Sequence, residues 1–150
     1  MSIEDIRNFI EVSDRIASSG QPEDFQFQYI SDAGYGAVIN LAMPNSENAI
    51  PEEGNIVTSL NMMYIHIPVP FDAPDVYHLR GFIRVMGALS PYAVWVHCVV
   101  NYRVSAFLYQ YYRLVHGAQP QEAKKIMLAS WEPNETWQGF MALSSEEVAL

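Results

Sequence analysis

The chain has 150 residues, half of them apolar, and 17 acidic against 8 basic side chains give it a net charge of −9. That length buries one substantial core, so a single domain spanning residues 1–150 is expected, and the charge repels phosphate backbones and anionic bilayers, excluding nucleic acid and membrane as expected partners. No apolar run approaches the ~20 residues of a bilayer span, residues 1–5 lack the regions of a signal peptide, and a lone cysteine fits a reducing compartment, so a cytoplasmic protein is expected. In chain order, residues 3–9 read as a short helix and 15–18 as a short strand ending at Ser19-Gly20. Pro22 at a first helical position, Phe25, Tyr29 and Ile30 at helical spacing and Gly34 as a stop predict the next helix. Ala37-Val38-Ile39-Asn40-Leu41 is a compact apolar run of the buried-strand kind. After a polar loop over 45–49, Pro51-Glu52-Glu53 opens a helix, its carboxylates set against the amino-end dipole and Ile56, Val57 and Leu60 forming its stripe.

Residues 62–67 predict another strand, which runs into Pro68-Val69-Pro70-Phe71-Asp72-Ala73-Pro74. Three prolines in seven residues exclude helix there and fix the backbone. Asp75 is placed to cap a helix on which Val76, Leu79, Phe82, Ile83 and Met86 form the apolar face, ending near Gly87. Ala93-Val94-Trp95-Val96, ending in His97, reads as a strand buried on both faces. Beyond Cys98-Val99-Val100-Asn101-Tyr102-Arg103, apolar residues from Val104 to Val115 recur at helical spacing as far as Gly117, a natural C-terminal stop. Pro120 starts a further helix to about Ser130, and residues 131–140 lead into a weakly amphipathic end, with Trp131 and Trp137 expected to pack it onto the sheet.

Strand and helix in alternation predict an α/β fold of three layers, a mainly parallel central sheet of four to five strands flanked by helices. In such sheets ligands bind beyond the carboxyl ends of the strands. The segment after Leu41, the loop carrying Asp72 and the loop 98–103 therefore meet at one edge. A cysteine attacks as its thiolate, a form favoured by a helix amino end and an arginine, and Cys98 is expected to have both. The backbone N–H groups of Val99, Val100, Asn101, Tyr102 and Arg103 form a nest for anionic oxygens, and the Arg103 guanidinium can grip two of them. Ser105 lies in the first helical turn, where its hydroxyl can stabilise a leaving thiolate. Asp72 is the first choice for the acid that protonates a departing oxygen, with Asp75 second because capping occupies it. His97 is expected to support the cysteine structurally, and His66, His78 and His116 to stand apart.

His97-Cys98, Arg103 and Ser105 between a strand and a helix resemble the signature of the cysteine-dependent protein tyrosine and dual-specificity phosphatases. The fuller set, Ser19-Gly20-Gln21-Pro22, Val38-Ile39-Asn40-Leu41, Ile67-Pro68-Val69 and Val96-His97-Cys98 to Arg103, is similar to a small bacterial tyrosine-phosphatase-like family related to the phosphatase-like part of beta-lactamase-hydrolase-like proteins. The resemblance covers about residues 16–137. It implies a fold of the phosphotyrosine protein phosphatase II type, a cysteinyl-phosphate intermediate, a phosphoryl-binding arginine and an aspartate acid. The expected activity is phosphomonoester hydrolysis on a phosphorylated small molecule or phosphoprotein, with no metal or organic cofactor required.

Two departures from the phosphatase signature open other readings. Four residues instead of five separate Cys98 from Arg103, a spacing closer to rhodanese-type sulfurtransferases, which carry a persulfide on their cysteine. Asn101 replaces a glycine common in the loop, a mild change because asparagine tolerates left-handed backbone. A loop that binds a phosphorylated or sulfated partner without turnover is the third reading.

Overall fold

A computed structural model describes residues 2–150. Five strands, β1 (Ile10–Glu11), β2 (Ile16–Ser19), β3 (Ala37–Asn40), β4 (Met63–His66) and β5 (Val94–His97), form one sheet in the order β1-β2-β5-β3-β4. Only β1 runs antiparallel, as an edge on β2. The expected mainly parallel α/β sandwich is what forms, with β1 a strand not expected, lying between residues 3–9, read as helix, and the strand over 15–18. There the helix is a single 3-10 turn, Ile3–Asp5, opened by the Ser2 hydroxyl accepting from the Glu4 N–H.

The described residues form seven α-helices: α1 (Phe27–Asp32), α2 (Glu53–Ser59), α3 (Val76–Ala88), α4 (Tyr102–Leu114), α5 (Pro120–Lys124), α6 (Glu135–Met141) and α7 (Ser145–Val148), of which α5 and α6 pack on α4 and α7 on α3. Strand side chains alternate between two cores. Val38 and Trp95 pack with Phe27 and Ile30 of α1 and Val57 of α2. Ala37, Ile39, Val94 and Val96 pack with α3 and α4 on the other face. There Phe82 and Phe107 meet edge to face, centroids 5.5 Å apart, an arrangement worth ~1 kcal/mol beyond its burial.

Two expected faces and one helix end differ from those observed. Phe25 is 53% exposed, because a 3-10 turn over Asp24–Gln26 rotates the start of the helix and brings Phe27 inward in its place, beside Ile30, which is buried as expected. On α2 the buried pair is Glu53 and Val57, with Ile56 and Leu60 only partly covered. The helix from Pro120 stops at Lys124, far short of Ser130. Gly34 and Gly117 do end their helices in left-handed backbone, at φ 95° and 69°.

Parallel register sets the site. Ser19 pairs with His97, His97 with Asn40 and Asn40 with His66, so four strands end at one level. Cys98 follows the central one, β5. Beyond the ends the chains stay tied: Leu41 N–H donates to the His97 carbonyl at 2.8 Å, Cys98 N–H to Ser19 at 3.3 Å and Val69 N–H to Leu41 at 3.0 Å.

Candidate active site

Because strand residues alternate, His97 falls on the Trp95 face, toward α2, while Cys98 turns to the α4 face and joins its core. The loop from Cys98 to the start of α4 is held from outside by its carbonyls. Gln21 N–H donates to Val99 at 2.9 Å, Asn8 Nδ2 to Val100 at 2.9 Å, and His97 Nδ1 lies 3.1 Å from the Cys98 oxygen. Asn101 adopts φ 75° and ψ 15°, the left-handed step that starts α4. With the carbonyls turned outward, the N–H groups of Val99, Val100, Asn101, Tyr102 and Arg103 meet no protein acceptor among the described residues. This left-handed to right-handed step at the head of a 13-residue helix is an anion nest.

Asn101 does more than tolerate its backbone angle. Its Nδ2 donates to the Asn8 carbonyl at 2.9 Å and to Ser18 Oγ at 3.1 Å, and its Oδ1 accepts from Ser105 Oγ at 3.4 Å. Ser105 is thereby committed: its one proton goes to Asn101, and its oxygen accepts the Leu128 N–H at 2.9 Å. The hydroxyl expected beside the thiolate braces the loop instead, making no hydrogen bond to Cys98 among the described residues.

Gly20 passes directly under the loop. A Cβ there would meet the Val99 oxygen at 2.5 Å and the Val100 Cα at 3.2 Å. Gly20→Ala is expected to displace the loop and lower stability by ~1–3 kcal/mol, with a larger proportional loss of phosphate binding. Urea unfolding and phosphate titration of the variant check this; an unchanged phosphate affinity would mean that the loop does not need the close approach.

Arg103 is only 6% exposed, lies over the Phe71 ring at 5.7 Å, and donates through Nη1 to the Val69 carbonyl at 2.9 Å. Its Nε is buried with no partner among the described residues, and no carboxylate pairs with the guanidinium. A buried cation so placed calls for an anion. The Phe71 carbonyl accepts from Trp137 Nε1 at 2.9 Å, which ties the residue before Asp72 to the α4 core, while Asp72 itself is exposed. Asp75 caps α3, its N–H donating to His78 Nδ1 at 3.0 Å, and lines a hollow against Thr136 and Phe140 of α6. Both aspartates are exposed. Of the tryptophans, Trp137 is buried in the α4 core as expected, whereas Trp131 stacks on loop residue Tyr102, centroids 5.0 Å apart.

Glu53, assigned to the helix dipole from sequence, is 3% exposed and holds the back of the site. Its Oε1 accepts from Gln21 Nε2 and its Oε2 faces His97 Nε2, both at 2.7 Å. Burial works to raise its pKa, but the charge and hydrogen bond of His97, with the hydrogen bonds of Gln21 and Tyr64, outweigh it and hold the carboxyl below its ordinary 4.5. Burial also pushes the Tyr64 hydroxyl up, keeping it a donor. A depressed carboxylate stabilises the fold above its unfolded value, and that contribution fades as pH falls through the folded value. Glu53→Gln is therefore expected to flatten the loss of stability below about pH 4.5, read from melting temperature against pH. Nothing in the sequence separates Glu53 from its exposed neighbour Glu52; only their burial does.

Among the described residues no three His, Cys, Asp or Glu side chains are grouped to hold a metal, and no helix is long and apolar enough to cross a membrane. The sheet order, with the loop from Cys98 to the head of α4 beyond its central strand, is a fold of the tyrosine-phosphatase type. No family model and no curated protein sequence matches the chain. Among solved structures it is similar to a candidate phosphatase (DUF442) from Shewanella putrefaciens CN-32, at 34% identity over 97% of this chain and 96% of that one, with a TM-score of 0.87. The chain belongs to this DUF442 family. The fold extends to TpbA of P. aeruginosa, at 15% identity over 95% and 88% of the two chains and TM-score 0.74. It extends also to the core catalytic domain of the PP-IP phosphatase SIW14 of S. cerevisiae, at 11% identity over 96% and 90% and TM-score 0.77.

Proposed function

We propose that the chain acts, as one cytoplasmic domain, as a phosphomonoester hydrolase working through a cysteinyl-phosphate. The observation that carries this is the unpartnered, buried Arg103 Nε beside five unengaged loop N–H groups at the head of α4. The Cys98 thiolate attacks phosphorus, the S–P bond forms and the P–O bond to the leaving group breaks. Arg103 and the loop amides hold the equatorial oxygens as their charge redistributes. Asp72 gives its proton to the departing oxygen, then takes one from the water that attacks the cysteinyl-phosphate, and thiolate and inorganic phosphate are released. Cys98 has no exposed surface, and Phe71, 38% exposed, lies over the Arg103 guanidinium.

The substrate is a phosphorylated small molecule or phosphoprotein. TpbA has been solved with pTyr and SIW14 is a PP-IP phosphatase, and the same fold serves both. The test is rapid quenching of the wild-type protein during turnover of an aryl phosphate. Inorganic phosphate should be released and one phosphoryl group should be found on the peptide containing Cys98. Phosphate binding with no release would identify a binding module. Transfer of sulfur from thiosulfate to cyanide, the reaction suggested by the four-residue spacing, would instead make the enzyme a sulfurtransferase.

Asp72→Asn is expected to lower kcat by ~10²–10³-fold for substrates with basic leaving groups and to remove the fall in activity at higher pH. Asp75→Asn should leave both kcat and the melting temperature nearly unchanged, since asparagine caps a helix as well as aspartate and the backbone bond to His78 is kept. The reverse pattern would assign the acid to Asp75.

A further inference from the structure

The geometry points to Glu53 as a positioning residue for Cys98: one buried carboxylate grips His97 and Gln21, and through them the two carbonyls that begin the anion loop. Glu53 Oε2 lies 2.7 Å from His97 Nε2, and His97 Nδ1 lies 3.1 Å from the Cys98 oxygen. Glu53 Oε1 accepts from Gln21 Nε2 at 2.7 Å, and the Gln21 backbone N–H donates to the Val99 oxygen at 2.9 Å. Both arms end on consecutive carbonyls. Turning those outward turns the following N–H groups toward the anion.

Both contacts of the ring need a donor. A carbonyl oxygen has no proton to offer, and neither has an ionised carboxylate, so the His97 ring satisfies both partners only when both nitrogens carry hydrogen. A cationic ring then lies against the Cys98 backbone, with its counter-charge one residue further away, an arrangement that favours the thiolate. The groups facing Glu53 are His97 from β5, Gln21 from the loop after β2 and the protonated hydroxyl of Tyr64 from β4, which itself accepts from Asn40 Nδ2 of β3 at 3.0 Å. A hollow of about 300 Å³ lined by Asn40, Met43, Glu53, Tyr64 and His66 adjoins the pair.

Glu53→Gln changes this in a defined way. Its oxygen keeps the bond from Gln21, and its amide then presents hydrogens to His97 Nε2, which must accept and leaves the ring neutral. The role of Glu53 rests on the phosphatase reading for its importance, but its test does not. Because Cys98 is the chain's one cysteine, ultraviolet thiolate absorbance, with Cys98→Ser as the blank, reports it alone. In Glu53→Gln the absorbance titration should move up by about one pH unit, and kcat/KM near pH ~6 should fall about tenfold, mostly in kcat. Glu52→Gln, on the exposed neighbour, should shift neither. His97→Asn, which keeps a donor for the Cys98 carbonyl and removes the ring charge, should shift the titration likewise, and the double variant should be no worse than the poorer single one.

A lowered melting temperature with an unmoved thiolate titration in Glu53→Gln would reduce the pair to a structural contact and overturn the proposal. Should that variant not fold, an unmoved titration in His97→Asn overturns it equally. Absence of aryl phosphate turnover in the wild type would sink the phosphatase reading alone, since the absorbance titration needs no turnover.

Discussion

Cys98→Ser is expected to reduce aryl phosphate turnover by at least ~10³-fold while leaving inorganic phosphate bound at close to wild-type affinity. The two halves follow from different parts of the site. A serine hydroxyl is a far weaker nucleophile at neutral pH, and nothing near the loop is placed to take its proton: His97 is turned to Glu53 and to the Cys98 carbonyl, and Ser105 to Asn101. The anion cradle, by contrast, is made by backbone and Arg103, and its bracing carbonyls are tied to Gln21, Asn8 and His97 whatever the side chain at 98. Steady-state kinetics and phosphate titration of the variant measure both. Equal turnover in wild type and variant would falsify the cysteinyl-phosphate mechanism.

Arg103→Lys is expected to cost ~10²–10³-fold in kcat/KM, and Arg103→Met more, with no loss of thermal stability in phosphate-free buffer. An ammonium can replace Nη1 on the Val69 carbonyl, but having done so it has no second, fixed donor where Nε lies. The stability half of the expectation follows from burial. The guanidinium is 6% exposed without a carboxylate partner, so the anion-free fold bears an uncompensated charge that methionine, of similar length, does not carry. Phosphate should therefore raise the melting temperature of the wild type and not that of Arg103→Met. Thermal unfolding with and without phosphate decides it, and an Arg103→Met variant that melts far below the wild type would show that the arginine is needed for folding itself.

Much of this site was legible along the chain because its chemistry is local. Cys98, the loop and Arg103 span six consecutive residues, and the helix that follows announces itself by spacing, so the cysteine, the loop and the arginine could be placed at one strand end without coordinates. The left-handed step at Asn101 was legible for the same reason, since it depends on one residue's backbone preference. The side-chain bonds of Asn101 and Ser105 were not: their partners Asn8, Ser18 and Leu128 are distant in sequence.

Glu53 is the instructive omission. A carboxylate after proline at a helix start has a sufficient local explanation in the dipole, and sequence offers no reason to look for another. Its partners stand 32 and 44 residues away and converge on it only because β2, β3 and β5 end at one level. The same convergence brings Phe71 over Arg103 while turning Asp75 toward α6.

By itself, then, the sequence determined the alternation of strand and helix, the cysteine loop and its basic residue, because periodicity, proline and glycine stops and helix-end electrostatics act over a few residues. Only the tertiary structure decided which partners Asn101 and Ser105 bond, and that a buried Glu53–His97 pair lies behind Cys98. Those depend on burial and on pairing across the sheet, where the free energy of a polar side chain is set by neighbours far away in the chain.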